Sequence, residues 1–501
     1  MSKFLTLIIS ISIFSNCATS QTVSGPLGEI FSVRVVANKL SDPWEITYGP
    51  DQALWITESK GYLVSKINTL TGKKTILLDL TRERKFPRYD KIGKLSGGKP
   101  WPQGGLMGLA LHPGLLTGKP FVYLMYVYHY NGSKEEGNGC ALNNGGCRFK
   151  GRVVRYEYSQ KLQKLFNPEI LCDSVSQSND HNGGRLTLAP MNGKLYLFYA
   201  TGDMGAGQFG NAGQPNHAQQ ITSYEGKILR FNAESDGDAE YDKWIPNDNP
   251  FNNRTQSAVW SIGHRNPQGL AFAFVNGTGH LYQSEHGPFS DDEVNIIEKA
   301  KNYGHPLIIG YADGNYNGLA ASTSNKDSLS GKWHTTYPLI VSEERNAKTL
   351  GSSYQDPILT LYPNSNTFLT ALYNKRVKGN EDQQWPSEAP SSIMVYTSNV
   401  ISGWHNSLLL PTLKGNKLIR LKLNKNGTQV IGDTISYFRN KVRYRDVAVS
   451  GDGKKIYLAI DSTSVSSNPA KENPEKIYNP GSILEFTYQG QRNQEADRIR
   501  R

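Results

Sequence analysis

A two-strand pattern that recurs six times constrains this chain more than any other feature. Each copy opens with a short apolar strand, often Leu or Ile beside Tyr or Trp, that ends in polar residues. The copies are Ala53–Glu58, Phe121–Tyr126, Lys194–Tyr199, His280–Glu285, Ser407–Pro411 and Lys455–Asp461. The paired second strands are Tyr62–Asn68, Arg152–Tyr158, Lys227–Asn232, Glu293–Ile297, Lys417–Leu423 and Ser482–Tyr488. From Leu54 to Ile456 the copies recur about every 80 residues, which leaves room for two further strands in each. One such sheet cannot bury both its faces, whereas a ring of sheets buries each against the next. The pattern therefore predicts an all-β chain, a six-bladed β-propeller of four-stranded antiparallel blades. An irregular pair of β-sandwiches fits the same strands less well.

Composition agrees. The 501 residues include 49 Gly and 27 Tyr but only 6 Met, and 37% are apolar before Gly is counted. Such a chain buries a core and is not disordered, and it lacks the Ala, Leu, Glu and Lys stretches of a helical bundle. The net charge of +11 attracts anions. The basic residues are scattered without a long run, so no nucleic-acid partner is expected.

Met1–Ser20 reads as a signal peptide. Lys3 supplies the positive start, and the apolar run Phe4–Phe14 is too short to span a bilayer. Two cleavages fit. Ala18-Thr19-Ser20 before Gln21 is a small-x-small site, and Phe14-Ser15-Asn16-Cys17 is a loose lipobox that would lipidate Cys17 and anchor the protein. Residues 21–488 then form a single exported propeller, periplasmic or extracellular, with an insertion around 311–380. The charged tail 489–501 is expected to fray. Cys140 and Cys147 bracket a turn-rich loop and are expected to form a disulfide in an oxidising compartment, leaving Cys172 as a core thiol.

In a propeller, loops distant in sequence converge at one end of the channel. Asp180-His181-Asn182-Gly183-Gly184-Arg185 offers a general base, His181, and Gly202-Asp203 offers a carboxylate to orient it. Arg265, Asn266 and Gln268 sit together between two strands and suit an anionic, carbonyl-bearing ligand. Gly287-Pro288 and the acids after them suit a hard cation such as calcium. Arg443 and Arg445 share one side of a strand, and Lys414 lies at another strand end. Each motif alone also fits a structural loop. Together they describe an anionic, calcium-bound organic cofactor better than a polymer.

These residues resemble the soluble quinoprotein glucose and aldose sugar dehydrogenases, which use pyrroloquinoline quinone (PQQ) and calcium. The resemblance runs in order from about Asp42 to Tyr488. It is carried by Gly263–Phe272, Gln283–Asn295, Asn302–Pro306, Trp385–Ser392, Arg443–Val447 and Asn479–Tyr488. It implies oxidation of an aldose at C1 to the lactone, with hydride passing to the quinone and electrons to an external acceptor. His181 matches the base, Asp203 its partner and Arg265 the cation at the quinone oxygen. The backbone oxygens of Gly287 and Pro288 match calcium ligands. Asn266, Gln268, Lys414, Arg443, Arg445, Ser387 and Trp385 match the cofactor pocket, and Gln103 and Gln208 match sugar contacts. A second calcium site, tied in the family to dimer contacts, is partly matched by Asp292, Glu293, Tyr303, Tyr311 and Asp313.

Three departures bear on specificity. Asp382 stands where the family's best-known members carry a Tyr three positions before the pocket Trp. The loop 311–380 aligns poorly, and the second calcium set is incomplete. The alternatives are a non-catalytic extracellular binding propeller, which should have lost the base or the cations, and a calcium-dependent hydrolase propeller, which needs convergent acids.

Overall fold

The computed structural model describes residues 21–83, 104–131, 148–178, 180–253, 255–380, 385–462 and 478–492. Met1–Ser20, Gln103, Cys140, Cys147 and Asp382 lie outside the described residues.

The strands in chain order are β1 (Gln21–Ser24), β2 (Glu29–Ala37), β3 (Pro43–Tyr48), β4 (Ala53–Glu58), β5 (Leu63–Asn68) and β6 (Lys74–Asp79). Then come β7 (Leu106–Leu111), β8 (Phe121–Asn131), β9 (Arg148–Ser159), β10 (Lys164–Ser178), β11 (Leu186–Met191), β12 (Lys194–Thr201), β13 (Lys227–Asn232) and β14 (Val259–Ile262). β15 (Pro267–Val275), β16 (Thr278–Glu285), β17 (Asp292–Ile296), β18 (Leu359–Leu361), β19 (Met394–Tyr396), β20 (Ser407–Pro411), β21 (Leu418–Leu423), β22 (Val430–Tyr437), β23 (Tyr444–Val449), β24 (Lys455–Ile460) and β25 (Ile483–Gln491) complete the set.

They form six antiparallel sheets. Five are four-stranded meanders in sequence order: β3–β6, β7–β10, β11–β14, β15–β18 and β19–β22. The sixth joins the two ends of the chain. β23, β24 and β25 are followed by β2 and then β1, with Phe31 opposite Tyr488 and Val33 opposite Phe486. β25 continues to Gln491, so residues 489–491 belong to this sheet and not to a frayed tail. Glu29 at the start of β2 ties this blade to the fifth, its Oε1 accepting from Trp404 Nε1 at 3.0 Å and from the Tyr437 hydroxyl at 2.7 Å.

Apolar clusters fill the spaces between neighbouring blades. Ile46, Leu54 and Ile56 meet Tyr457 and Ala459 across the join of the first and last blades. Phe198 and Trp260 meet Leu270 and Leu281 across the third and fourth. The expected middle strands are the two inner members of each meander. β4, β13 and β20 are buried at every residue, whereas the outer strand β22 is mostly exposed.

The insertion lies between β17 and β19 and carries both α-helices of the described residues, α1 (Glu343–Leu350) and α2 (Asn366–Val377). It also contains β18, the outer strand of its blade, so 311–380 is part insertion and part blade. A separate aromatic cluster holds it on the propeller, with Phe289 against Tyr373 and Trp385. No helix among the described residues is long and apolar enough to cross a membrane.

Candidate active site

The meander order gathers the chemistry at one end. In each blade the loop entering the first strand and the loop joining the second to the third lie at the same end. The entry loops carry His181, Arg265, Ser387 and Arg443. The second-to-third loops carry Asp203, Gly287, Lys414 and Asp461. Several first strands begin with a register shift. Gln268 is the extra residue between the pairs Pro267–Glu285 and Gly269–Ser284. Arg445 is the extra residue between Tyr444–Ile460 and Asp446–Ala459. Bulges re-aim side chains next to sites, and these two meet, with Arg445 Nη1 donating to Gln268 Oε1 at 3.2 Å.

His181 and Asp203 form a buried pair, with His181 Nδ1 2.7 Å from Asp203 Oδ1. The His181 backbone sits in the left-handed region, at φ 49°. It lies so close to Gly202 that a Cβ there would stand 1.9 Å from the His181 carbonyl oxygen. Burial raises the Asp203 carboxyl, but the charge and hydrogen bonds of the His181 and His305 imidazoles outweigh it and hold it far below the usual carboxylate range. An ionised Asp203 fixes the His181 proton on Nδ1 and leaves Nε2 as the acceptor. Gln208 Nε2 lies 2.9 Å from that Nε2 and also donates to Asp180 Oδ2 at 3.0 Å. Gln208 Oε1 accepts from Arg265 Nη2 at 2.5 Å. One glutamine therefore bridges His181 and Arg265.

Arg265 Nη1 donates to the His286 carbonyl at 2.9 Å, while its buried Nε has no hydrogen-bond partner among the described residues. From there the network runs sideways. Gln268 Nε2 donates to Asn266 Oδ1 at 3.0 Å, and Arg445 grips Asp461 with two bonds of 2.8 Å. Arg443 shares Asp461 at 3.6 Å, and its Nη1 lies 3.4 Å from the Leu413 carbonyl oxygen. Burial pulls the Arg443 guanidinium down to about 10, partly offset by Asp461. Lys414 donates to the Trp385 carbonyl and stands 4.4 Å from the Trp385 ring centroid. Burial pulls its ammonium down to about 8, with Asp292 opposing.

Two cations thus share one carboxylate, and neither Arg265 nor Lys414 has a carboxylate within ion-pair distance among the described residues. The set carries excess positive charge in partly desolvated surroundings. An anion with several carboxylates and an aromatic face would satisfy it.

The expected metal residues divide. At Gly287 a Cβ would come within 1.8 Å of the Ser290 carbonyl oxygen, so the tight turn presenting Gly287 and Pro288 admits only glycine there. The second calcium set is not assembled through its side chains. Asp292 accepts from the Ser387 hydroxyl and from the amides of Gly287, Glu388 and Ala389 at 2.7–3.1 Å. This also turns Ser387 towards Asp292. The Tyr303 hydroxyl donates to the Ile296 carbonyl at 2.5 Å, and Glu293 accepts from Asn295 and the Gly310 amide. Asp313 accepts from the Asn315 amide at 3.1 Å, and burial raises the Tyr311 phenol. No group of three or more His, Cys, Asp or Glu suited to a metal ion occurs among the described residues.

Asp461, Asn216, His305 and Tyr337 are site residues that the sequence reading did not assign. Asp461 had a signal. An acid closes or follows the second strand in four blades, at Glu58, Asp203, Glu285 and Asp461, and Lys414 follows it in a fifth.

Comparisons with known proteins show what the chain is similar to. The sequence model described as glucose/sorbosone dehydrogenase matches residues 40–339 and 373–466. The chain is 32% identical over 481 residues to quinoprotein glucose dehydrogenase B of Acinetobacter calcoaceticus, covering 92% of this chain and 91% of that one. It is 26% identical over 446 residues to aldose sugar dehydrogenase YliI of Escherichia coli, covering 86% and 91%. The solved PQQ-bound aldose sugar dehydrogenase from Streptomyces coelicolor shares the fold, with a TM-score of 0.57 at 23% identity over 93% of this chain and 100% of that one.

Proposed function

The chain belongs to the glucose/sorbosone dehydrogenase family, and on that premise we propose that it is a PQQ- and calcium-dependent aldose dehydrogenase. It oxidises a sugar at C1 to the lactone and passes the electrons to an external acceptor. The observation that carries this reading is the His181–Asp203 pair joined through Gln208 to a rim of cations with too few carboxylates. A binding propeller has no use for such a base.

The residues fit PQQ, a planar ortho-quinone bearing three carboxylates. Arg443, Arg445 and Lys414 would hold carboxylates, Asn266 and Gln268 the polar edge, and Trp385 one face. The unpartnered Nε of Arg265 is a donor in waiting for a quinone oxygen. When bound, PQQ supplies the two-electron acceptor for the hydride from C1. The carbonyl oxygens of Gly287 and Pro288 would hold calcium, which would polarise a neighbouring carbonyl as a Lewis acid.

His181 Nε2 takes the proton of the C1 hydroxyl. The Nδ1 proton stays hydrogen-bonded to Asp203, whose charge stabilises the imidazolium. Gln208 must share or yield its contact with Nε2 when the hydroxyl arrives. Arg265 places positive charge beside developing negative charge. The substrate gives up one proton and one hydride, so the lactone needs no water. Export through the leader Met1–Ser20 is part of the proposal.

Calorimetric titration with PQQ in calcium buffer tests the cofactor half of this reading. Wild-type protein should bind one PQQ per chain. Lys414→Met should weaken binding by about 10- to 30-fold, the loss of one charge-assisted contact. Equal affinity in the variant removes Lys414 from the cofactor, and no binding by wild type overturns the proposal.

A further inference from the structure

Asp203 has two carboxylate oxygens, and the pairing with His181 uses only Oδ1. The Gly205 amide also donates to Oδ1, at 2.9 Å. Oδ2 gathers three more donors: His305 Nε2 at 2.8 Å, Asn216 Nδ2 at 2.9 Å and the Tyr337 hydroxyl at 3.1 Å. All three come from segments outside the blades' strands. Tyr337 belongs to a strap from the insertion. In that strap the Thr335 hydroxyl donates to the Gly207 carbonyl and the Thr336 amide to the Ala212 carbonyl at 3.1 Å, which ties it over the loop carrying Asp203 and Gln208. The Tyr337 ring packs on Gly207 so closely that a Cβ there would approach it to 2.6 Å. The His305 ring stands edge-on to the Tyr337 ring at 5.6 Å.

We propose that His305 and Tyr337 are positioning residues that set the basicity of His181 by sharing the charge of Asp203. The inference rests on the dehydrogenase reading of the His181–Asp203 pair. Burial pushes the His305 imidazole down, with Asp203 only partly opposing, so at neutral pH it is an uncharged ring with its proton on Nε2. The His305 Nδ1 is buried and has no hydrogen-bond partner among the described residues.

A carboxylate that feeds five donors gives less of its charge to any one of them. Each donor on Oδ2 therefore weakens the hold of Asp203 on the His181 imidazolium. Other groups facing the pair are Asp180, Arg265 beyond Gln208, His286, and the buried Lys227, whose ammonium burial pulls down to about 7 with Glu225 and Asp203 opposing. None of them touches Asp203 Oδ2. Removing a donor from Oδ2 concentrates charge on Oδ1, so the pH at which His181 takes up a proton should rise.

The test compares wild type with His305→Leu, Tyr337→Phe and His305→Gln. Two readouts are used: the pH profile of kcat/KM for the holoenzyme, and NMR titration of the His181 imidazole in the cofactor-free protein. In His305→Leu the acid limb and the imidazole titration should both move up by about 0.5–1 pH unit. Tyr337→Phe should move them in the same direction, and His305→Gln, which keeps a donor, should restore most of the shift. If both donor-removing variants fold and lose activity with an unmoved limb and titration, the proposal is overturned and the contacts are structural. Wild-type holoenzyme inactive on every aldose would contradict the dehydrogenase reading. The NMR titration would still decide the coupling.

Discussion

Replacement of His181 by Ala should lower kcat by about 10³-fold while PQQ affinity stays within about twofold of wild type. The expectation follows from what His181 touches. Its Nδ1 faces Asp203 and its Nε2 faces Gln208, while the cations proposed to hold the cofactor, Lys414, Arg443 and Arg445, bond to Trp385, Leu413 and Asp461. The lost group is a base and not an anchor. Asp203 stays ionised throughout the working pH range, held far below the usual carboxylate range by the imidazoles beside it. Stopped-flow reduction of bound PQQ by sugar, with calorimetry for affinity, reads both effects. A loss of PQQ affinity that matches the loss in kcat would make His181 a cofactor residue. A fall of less than tenfold would place the base elsewhere.

Arg185→Met should destabilise the fold by about 3–5 kcal/mol at pH 7. Arg185 is buried where the first strands meet. It ion-pairs with Glu45 Oε2 at 2.5 Å and with Asp446 Oδ2 at 3.1 Å. It donates to the carbonyls of Gln268 at 2.9 Å and Ser391 at 3.1 Å, and lies 4.2 Å from the Trp44 ring centroid. One guanidinium thus links the third blade's entry loop to the first, fourth, fifth and sixth blades. Burial already raises the Glu45 carboxyl well above the usual range despite Arg185, because Asp446 stands beside it and a single cation serves two acids. Methionine keeps most of the volume but leaves both carboxyls without the cation. The Glu45 carboxyl, already raised in the fold, is then raised further. The deficit should be larger at pH 7 than at pH 5, because protonation of the raised Glu45 carboxyl removes its unpaired charge as pH falls. Urea midpoints of the cofactor-free protein at pH 5 and pH 7 measure it. A variant within about 1 kcal/mol of wild type at both values would show that the ring does not depend on this ion pair.

The parts of the fold that could be read from the sequence are those where burial is uniform. β4, β12 and β24 lie between neighbouring strands and neighbouring blades, so each carries a run of four or more apolar and aromatic residues. The first strands are harder to read. β3, β7, β15 and β23 each start with a register shift that breaks the two-residue alternation, and polar site residues such as Gln268 and Arg445 occupy the shifts. β18 has three residues and follows a long insertion, so no periodicity marks it. Closure by β2 depends on a pairing across the whole chain that no local pattern reveals.

The site divides in the same way. His181, Asp203, Arg265, Arg443 and Arg445 stand in motifs whose residue types carry their chemistry, and the fold brings them together. His305 and Tyr337 could not be chosen from the sequence, because a lone His and a Tyr within a poorly matched insertion carry no signal until folding places both on Asp203. The second calcium set came from the resemblance, and folding uses its Asp292 carboxylate to tie the Gly287 turn to the Ser387–Ala389 loop.

The most direct test of the central claim is dye reduction by the mature protein with glucose, maltose and other aldoses, with and without added PQQ and calcium. The account predicts turnover with at least one aldose that requires PQQ, is lost when calcium is chelated before loading, and returns when calcium is restored. Stoichiometric PQQ binding without reduction by any aldose would contradict it.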